Sequence, residues 1–360
     1  MPARPCAARR AGGGTVKITD VAEAAGVAPM TVSRVLNTPD RVSTATLARV
    51  RDAIAALGYV PNLIAGGLSS RRSRMVAAVV PTIAHPMFAD MIRHFSTLLR
   101  AANYQVMLLI SGYEEGAEAP LVQSVLTRRP DALLMTGADH APATRALLQG
   151  AGIPVVEIWD VSPRPFDMQV GFDHAEVGAA VAAYFRAQGF QRFLSLPAGD
   201  RRARQRGEGF SAAVRAAGLE LLEPPAELPA PSTITAGREA LRAMLPRLAF
   251  PGAARTALFC SSDLLAFGAI TEARLAGLGV PAQLAVCGFG DFEISRASAP
   301  PFSTVTVDGA AIGRLAAEAL LARLGGTDAA EGQGPAIGQG VAMGGPRVKV
   351  PFHIIHRGTT

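Results

Sequence analysis

The feature that most constrains the fold is an alternation of short apolar runs with Ala- and Leu-rich amphipathic segments, which continues from Met75 to about residue 325. The apolar runs predict these strands: 76–80, 106–110, 132–135, 155–158, 193–196, 257–260 and 284–288. Strands that alternate with helices form parallel sheets with helices on both faces. This stretch is long enough for two sheets, so we expect an α/β core of two doubly wound parallel-sheet subdomains.

The positive charge is concentrated at the start of the chain. Residues 1–74 hold 11 Lys and Arg against 4 Asp and Glu, a net of +7, whereas the whole chain carries +6. The remainder is therefore close to neutral, with a net of −1. A basic head on a neutral body is typical of a polyanion-binding protein. A basic tail that arose by chance remains an alternative on charge alone.

Cysteine usage and hydropathy exclude several classes of protein. The three cysteines (Cys6, Cys260 and Cys287) are far apart and odd in number, which argues against disulfides or structural zinc and for a reducing cytoplasm. No apolar run reaches the roughly 18 residues that a membrane span needs. Residues 1–14 lack an apolar segment, and we predict a disordered tail there rather than a signal peptide. We expect no metal and no cofactor.

Residues 15–60 predict three short helices. The first has Thr19 as a candidate N-cap and ends at Gly26, the second begins at Pro29, and the third follows Ser43. Two short helices around a glycine turn, braced by a third, form a helix-turn-helix whose second helix enters the major groove. An ordinary three-helix bundle without a ligand is the alternative. The outward side chains of the second helix are Met30, Thr31, Ser33, Arg34 and Asn37.

The head also resembles that of the lactose-repressor (LacI/GalR) family. The matching strings are Asp20-Val21-Ala22, Ala25-Gly26-Val27, Thr31-Val32-Ser33-Arg34-Val35-Leu36-Asn37, Val42-Ser43 and Leu57-Gly58-Tyr59-Val60-Pro61-Asn62. The resemblance implies that Pro29, Met30 and Arg34 contact bases. It implies further DNA contacts by Thr19, Thr31, Ser33, Asn37, Arg41, Tyr59 and Asn62. Leu47 departs from the family pattern, in which a charged residue is common at this position.

The resemblance implies a hinge at residues 61–74 that becomes helical on operator DNA, with Ala65 and Leu68 at the minor groove. Wedging a side chain between bases costs a few kcal/mol, which the contacts made to bent DNA offset. Gly66 and Gly67 each cost about 1 kcal/mol in helix propensity, so we expect the hinge helix to be weak.

We predict an effector-binding and dimerisation core at residues 75–355. Its residues 75 to about 325 resemble the core of the same family, which is similar to periplasmic sugar-binding proteins, whereas the tail after Gly325 departs from the family. We predict subdomain 1 at about 75–161 and 292–323, and subdomain 2 at about 162–291 and 324–355. The segment from Gly325 to Pro346 is rich in Gly and Ala and is predicted to be a flexible insertion. The strand-like end, Val348 to Ile355, is predicted to close the sheet of subdomain 2.

Ligands of open α/β sheets bind beyond the carboxyl ends of the strands, and the loops there are rich in Arg, Asp, Ser and aromatic residues. Within the family, the strings Pro154–Asp160, Gly171-Phe172-Asp173 and Ser232-Thr233-Ile234 resemble the gluconate-repressor branch, which implies a sugar-acid effector. The candidate effector-binding residues are Met87, Phe88, Trp159, Asp160, Asp173, Arg202, Arg206, Asp263 and Phe289. The three aromatic residues among them could instead be core residues, and His85 and His174 are interpreted as ordinary loop residues.

The resemblance therefore implies a cytoplasmic homodimeric repressor that binds a pseudo-palindromic operator under the control of a small molecule. An enzyme is disfavoured, because the chain lacks the usual dinucleotide, P-loop, zinc-protease and serine-hydrolase motifs. A transport solute-binding protein would have the core alone, without a basic head. A corepressor-dependent regulator with a non-sugar effector remains open.

Overall fold

A computed structural model describes residues 16–60, 72–114, 116–225, 227–248, 254–326 and 344–360. The predicted tail (1–14), the hinge residues Asn62, Ala65 and Leu68, and most of the Gly-rich insertion lie outside the described residues. The chain divides into two compact units, Met1–Ser73 and Arg74–Thr360.

The first unit contains the predicted helices. They are α1 (Ile18–Ala25), α2 (Pro29–Asn37) and α3 (Thr44–Leu57), with a short 3-10 helix at Pro39–Arg41. Val21, Val32 and Val50 are fully buried and join the three helices in one small core. Gly26 lies between α1 and α2 with φ 61°, in the left-handed region that glycine adopts without strain.

The predicted N-cap of α1 is wrong. Lys17 is the N-cap, and Thr19 lies inside the first turn of the helix. The backbone N–H of Lys17 donates to the Asp20 carboxylate at 2.9 Å, an interaction that the absence of Ser or Thr at position 17 concealed. Thr19 remains exposed on the head surface.

The second unit contains two six-stranded sheets, counted over the described residues. The first has the order β11-β5-β4-β3-β1-β2, built from β1 (Met75–Val80), β2 (Gln105–Ile110), β3 (Ala132–Thr136), β4 (Val155–Ile158), β5 (Met168–Gly171) and β11 (Arg347–Lys349). The second has the order β12-β10-β9-β8-β6-β7, built from β6 (Arg192–Leu196), β7 (Glu220–Leu222), β8 (Thr256–Cys260), β9 (Leu284–Phe289), β10 (Ser303–Val307) and β12 (Phe352–Ile355). All strand pairs are parallel except β10 and β12.

Helices flank the two sheets. They are α4 (Pro86–Ala101), α5 (Glu118–Leu126), α6 (Pro142–Ala151), α7 (His174–Ala187), α8 (Arg201–Ala216), α9 (Ile234–Leu248), α10 (Asp263–Leu275), α11 (Glu293–Ala297) and α12 (Gly309–Gly326). Among the residues that the structure describes, none of the helices has the length and apolar character to cross a membrane.

The two doubly wound subdomains are confirmed, but several segments lie in a different subdomain from the one predicted. β5 and β11 belong to the first sheet, and β10 belongs to the second. The chain therefore crosses between subdomains three times: after β5, after β10, and between β11 and β12. Sequence patterns locate strands but do not assign them to sheets, because each sheet takes strands from distant parts of the chain.

The seven predicted core strands are all confirmed, whereas β5, β7 and β10 were missed. β7 has three residues and β5 has four, including the polar Gln169 and terminal Gly171. β10 contains Ser303 and Thr304, which are fully buried although polar. Short or polar strands lack the continuous apolar run by which the other strands are recognised.

Candidate functional site

The head presents a polar and partly apolar surface around the start of α2. Pro29 and Arg34 are exposed, Met30 is 65% exposed, and Thr31 and Ser33 are half-buried. A methionine exposed to this degree contributes nothing to the small core of the head, so its place at the helix N-terminus needs another explanation. An arginine and small hydroxyls at this end of a recognition helix match the groups that contact guanine edges and phosphates.

The remaining predicted DNA contacts lie on other elements of the head. Arg41 ends the 3-10 helix and is exposed, Tyr59 follows α3 and is half-buried, and Asn37 is the last residue of α2. The described contact residues thus lie on the head helices, at their ends or just after them. Their role in DNA binding stays a prediction.

A cleft that is partly open to solvent lies between the two core subdomains. Its walls come from segments just beyond the carboxyl ends of strands in both sheets, as expected for open α/β folds. The lining residues are His85, Met87, Phe88, Tyr113, Trp159, Phe172, His174, Ala198, Asp200, Arg202, Arg206, Ser232, Ser261, Ser262, Phe289 and Phe292. Six of the nine predicted effector residues are among them: Met87, Phe88, Trp159, Arg202, Arg206 and Phe289.

Arg206, on the second turn of α8, is buried at the wall of this cleft. Its Nη1 donates to Nδ1 of His174 at 2.8 Å, and its Nη2 donates to the carbonyl oxygen of Ser261 at 3.0 Å. The guanidinium carbon lies 4.0 Å from the centre of the Phe289 ring, in cation–π contact. Burial lowers the pKa of Arg206 to about 10, which leaves it charged at neutral pH.

The described residues provide Arg206 with no carboxylate partner. It forms no ion pair with any of them, and its buried Nε has no hydrogen-bond acceptor among them. Asp200 acts on this charge only from a distance. A buried charge without a directly paired counter-ion is costly, so an anion bound in the cleft would be stabilised by Arg206.

Arg202 is the second cationic side chain of the cleft. It is half-buried, and its guanidinium carbon lies 5.8 Å from the centre of the Phe88 ring. Asp200 is the one carboxylate among the lining residues that the structure describes, and one of its oxygens caps α8 by accepting from the N–H of Ala203. Two guanidinium groups against one carboxylate give the lining a net positive charge.

The other titratable groups of the lining are uncharged at neutral pH. Burial lowers the pKa of His85 below its usual value, and Arg202 and Arg206 lower it further against the opposing effect of Asp200. Burial also raises the pKa of Tyr113 to about 12. The Tyr113 hydroxyl therefore remains a donor, and the charge of the cleft is set by its arginines and Asp200.

Aromatic rings form the apolar part of the cleft. Trp159 contacts Phe88 at 5.2 Å and Phe172 at 6.0 Å between ring centres, and His85 stacks on Phe292 at 5.8 Å. Such faces pack against the C–H groups of a polyol, while hydroxyls and charged groups hold its oxygens.

Three predicted effector residues do not line this cleft, and their role in effector binding stays a prediction. Asp160 lies in an adjoining opening that shares Tyr113, Asp200 and Arg202 with the cleft. Asp173 caps α7, where one carboxylate oxygen accepts from the backbone N–H groups of Ala175 and Glu176 at 2.8 and 3.1 Å.

Asp263 is the third, and its carboxylate points into the protein. It is fully buried and accepts hydrogen bonds from the N–H of Phe292 at 2.7 Å and the hydroxyl of Thr304 at 2.5 Å. A Cβ on Gly288 would lie 2.2 Å from its Oδ1, so glycine is required there. Asp263 thus positions the segment that carries Phe292, which does line the cleft.

Several lining residues were not recognised as such from the sequence. The sequence analysis interprets His85 and His174 as loop residues and includes Phe172 and Ser232 only within longer strings, and Ser261 and Ser262 are not among its candidates. Tyr113, Ala198, Asp200 and Phe292 gave no usable signal, because each is an isolated residue after a strand or before a helix. Within the described chain, no group of three or more His, Cys, Asp or Glu side chains could hold a metal ion.

Comparison with known proteins matches both units of the chain. Residues 17–62 match the family model for bacterial regulatory proteins of the lacI family, and residues 182–341 match a periplasmic binding protein-like domain. The HTH-type transcriptional regulator GntR of Pseudomonas aeruginosa is 35% identical over 321 residues, which cover 88% of this chain and 91% of that protein. The chain belongs to the LacI family.

Further similarities agree with this assignment. The HTH-type transcriptional regulator GntR of Escherichia coli is 33% identical over 310 residues, which cover 86% of this chain and 92% of that protein. The crystal structure of a LacI-family transcriptional regulator from Silicibacter pomeroyi superposes with a TM-score of 0.81 at 32% identity, covering 96% and 99% of the two chains.

This LacI-family chain is a DNA-binding transcriptional regulator and not an enzyme. The family resemblance noted in the head and core is confirmed over nearly the whole length. Because the matches include the head as well as the core, a transport solute-binding protein is no longer a suitable description.

Proposed function

We propose that this regulator responds to a sugar acid of the gluconate class, bound in the cleft between the core subdomains. The observation that supports the proposal is Arg206, a buried guanidinium at the cleft wall without a carboxylate partner among the described residues. An effector carboxylate would supply the missing counter-charge through charge-assisted hydrogen bonds.

The charge of the cleft favours one carboxylate over none or two. Arg202, Arg206 and Asp200 together give the cleft a net charge of about +1. A monoanionic effector would neutralise this charge. Only one carboxylate oxygen of Asp200 caps α8. The other oxygen is suited to accept hydrogen bonds from effector hydroxyl groups, and it would repel a second effector carboxylate. A sugar acid has both required parts, one anionic end and a chain of hydroxyls.

The remaining lining residues suit a ligand with a chain of hydroxyl groups. Ser232, Ser261, Ser262 and Tyr113 supply hydroxyl groups, and the aromatic rings supply flat apolar faces. The resemblance of three core strings to the gluconate-repressor branch supports the same class of effector.

On the DNA side, we propose that a homodimer in the cytoplasm places two heads in successive major grooves of a pseudo-palindromic operator, since a two-fold protein matches a two-fold site. Pro29, Met30 and Arg34 would contact bases, Asn62 would contact the DNA, and Ala65 and Leu68 of the hinge would lie at the minor groove. Effector and operator affinities are then coupled, and each ligand changes the affinity for the other by the same factor.

Direct binding tests the effector. Purified protein is titrated with gluconate, with gluconamide as an uncharged analogue, and with glucose, and Trp159, the single tryptophan of the chain, reports binding by its fluorescence. At 100 times its dissociation constant, a ligand stabilises the fold by about 2.7 kcal/mol, which thermal unfolding measures independently. Gluconate should bind most tightly, and equal binding of gluconate and gluconamide would refute a carboxylate contact.

A matched pair of variants on α8 locates the contact. Arg202 lines the cleft, whereas Arg201 is half exposed and pairs with Asp139 at 3.1 Å. Arg202→Gln should weaken gluconate by about 1.5–3 kcal/mol, roughly 10- to 150-fold, because a hydrogen bond to a charged group is lost. Arg201→Gln should change the affinity little, and similar losses in both variants would show that only the general charge of α8 matters.

The regulatory response is measured on an operator selected from randomised duplexes. We expect gluconate to release the protein from this DNA, as in a repressor relieved by an inducer. If gluconate instead tightens DNA binding, it is a corepressor, and only the direction of the coupling between effector and operator binding is reversed. If gluconate binds but leaves operator affinity unchanged, the coupling is refuted while the cleft remains a sugar-acid site.

A further inference from the structure

Arg206 is held by three groups, and none of them is charged. Nδ1 of His174 and the carbonyl oxygen of Ser261 accept from its two terminal nitrogens, and the Phe289 ring covers its face. Buried arginines are ordinarily paired with a carboxylate, because an unpaired buried charge is expensive. Here neutral groups fix the geometry of the guanidinium, and Asp200, the carboxylate of the same lining, acts on its charge from a distance without an ion pair.

The hydrogen bonds around His174 define its tautomer. Arg206 is a donor only, so Nδ1 of His174 must be the acceptor and carry no proton. Nε2 of His174 lies 2.8 Å from the carbonyl oxygen of Trp159, so this nitrogen must carry the proton and donate it. Both ring nitrogens are thus engaged in roles that only the neutral imidazole with Nε2–H can fulfil at once.

The surroundings keep this imidazole neutral. His174 is buried as the first residue of α7, and its ring packs edge-on against Phe172 at 4.5 Å between ring centres. Burial lowers its pKa well below the usual value, and the nearby charges of Arg206, Arg202 and Arg201 lower it further; only the hydrogen bond to the Trp159 carbonyl opposes this shift.

The acceptor of the Nε2–H is placed by an unusual backbone conformation. Trp159 has φ 67°, in the left-handed region that a bulky side chain rarely adopts. Trp159 follows β4 in the first subdomain, whereas Arg206 belongs to α8 in the second. The chain of hydrogen bonds from Arg206 through His174 to Trp159 therefore connects the two walls of the cleft.

We propose that His174 is a positioning residue, which holds the Arg206 guanidinium with a neutral acceptor so that its charge remains available to an anionic effector. A carboxylate at position 174 would hold Arg206 equally well but would neutralise it before the effector arrives. The inference rests on the proposed function, in that the anion it serves is the effector carboxylate.

Two variants of equal size separate charge from shape. Asn and Asp at position 174 both offer an oxygen acceptor at the Cγ position, and only Asp is charged. We expect His174→Asn to weaken gluconate several-fold and still prefer gluconate to gluconamide. We expect His174→Asp to lower the affinity for gluconate at least ten-fold more than His174→Asn does. We also expect His174→Asp to bind gluconate and gluconamide equally. Equal gluconate affinity of the two variants, or equal loss of the preference in both, would overturn the inference.

A second measurement needs neither variant nor effector. The imidazole ¹⁵N shifts of His174 in the full-length protein report its protonation state and tautomer. The neutral form with Nε2–H is expected at pH 6.5, where an ordinary histidine is half protonated, and a cationic ring or the Nδ1–H form at neutral pH would overturn the inference. If the wild-type protein does not prefer gluconate to gluconamide, the proposed function fails, and these shifts still decide the state of His174.

Discussion

Replacing Gly178 with alanine tests how closely α8 must approach α7 to bring Arg206 to the cleft. A Cβ at this position would lie 2.0 Å from the carbonyl oxygen of Arg206 and 2.5 Å from the backbone nitrogen of Phe210. Both atoms belong to the backbone of α8, so no side-chain rotation can relieve the overlap. The two helices must move apart, and Arg206 must move with its own carbonyl group.

The expected size of the effect follows from two opposing contributions. Alanine raises the helix propensity of α7 by about 1 kcal/mol, whereas overpacking a buried contact costs about 1–3 kcal/mol. Because the overlap is with backbone, we place the overpacking at the upper end, for a net loss of about 2 kcal/mol. At roughly 2–4 °C per kcal/mol for a domain of this size, the Tm should fall by about 4–8 °C.

Gly150 provides the control, since it lies inside α6 and a Cβ there would meet nothing within 4 Å. Gly150→Ala should raise the Tm slightly through the same gain in helix propensity. Thermal unfolding followed by circular dichroism measures both variants, and the fluorescence of Trp159 measures gluconate binding. Gly178→Ala should lower both the affinity for gluconate and the Tm, whereas Gly150→Ala should lower neither. If Gly178→Ala matches the control in both assays, the close helix contact does not position Arg206.

Three further perturbations test the head and the buried carboxylate. Arg34→Ala should lose the preference for the selected operator over random DNA but keep part of the non-specific binding; equal losses in the two titrations at one salt concentration would exclude a base contact. Ser43→Ala should destabilise the head by about 1 kcal/mol, because the Ser43 hydroxyl accepts from the N–H of Thr46 at the start of α3. Amide hydrogen exchange in α3 measures this change, and unchanged protection would show that the cap contributes nothing. Burial raises the pKa of Asp263 to about 7 from an ordinary 3.8, so the folded wild type loses stability as the pH rises through this interval. Asp263→Asn should therefore gain in unfolding free energy relative to wild type between pH 4 and pH 8, and a pH-independent difference from denaturant titrations would refute the shifted pKa.

The helices of the head and the seven apolar strands of the core were predictable because their signals are local. Gly26, Pro29 and Ser43 mark helix boundaries through backbone conformations that each adopts without strain, and the structure places each at the predicted boundary. Thr19 was assigned as a cap by its residue type, but the chain begins the helix earlier because Asp20 can accept from the N–H of Lys17.

The site was only partly predictable. Aromatic and arginine residues after strands were identified as candidates, and six of nine line the cleft. The orientation of Asp263 was not predictable, because a carboxylate after a strand can face the cleft or the interior, and only its hydrogen bonds to Phe292 and Thr304 show that it faces the interior here. His174 was interpreted as a loop residue because Arg206, its partner, is 32 positions away.

The sequence by itself determined the class of elements, their approximate positions and the family, since periodicity, caps and motifs act over neighbouring residues. The tertiary structure alone decided the sheet to which β5, β10 and β11 belong, and hence the three crossings between subdomains. It also decided which polar side chains meet at the cleft. The physical reason is that hydrogen bonds between parallel strands, and contacts such as that between Arg206 and His174, join segments that no local pattern relates.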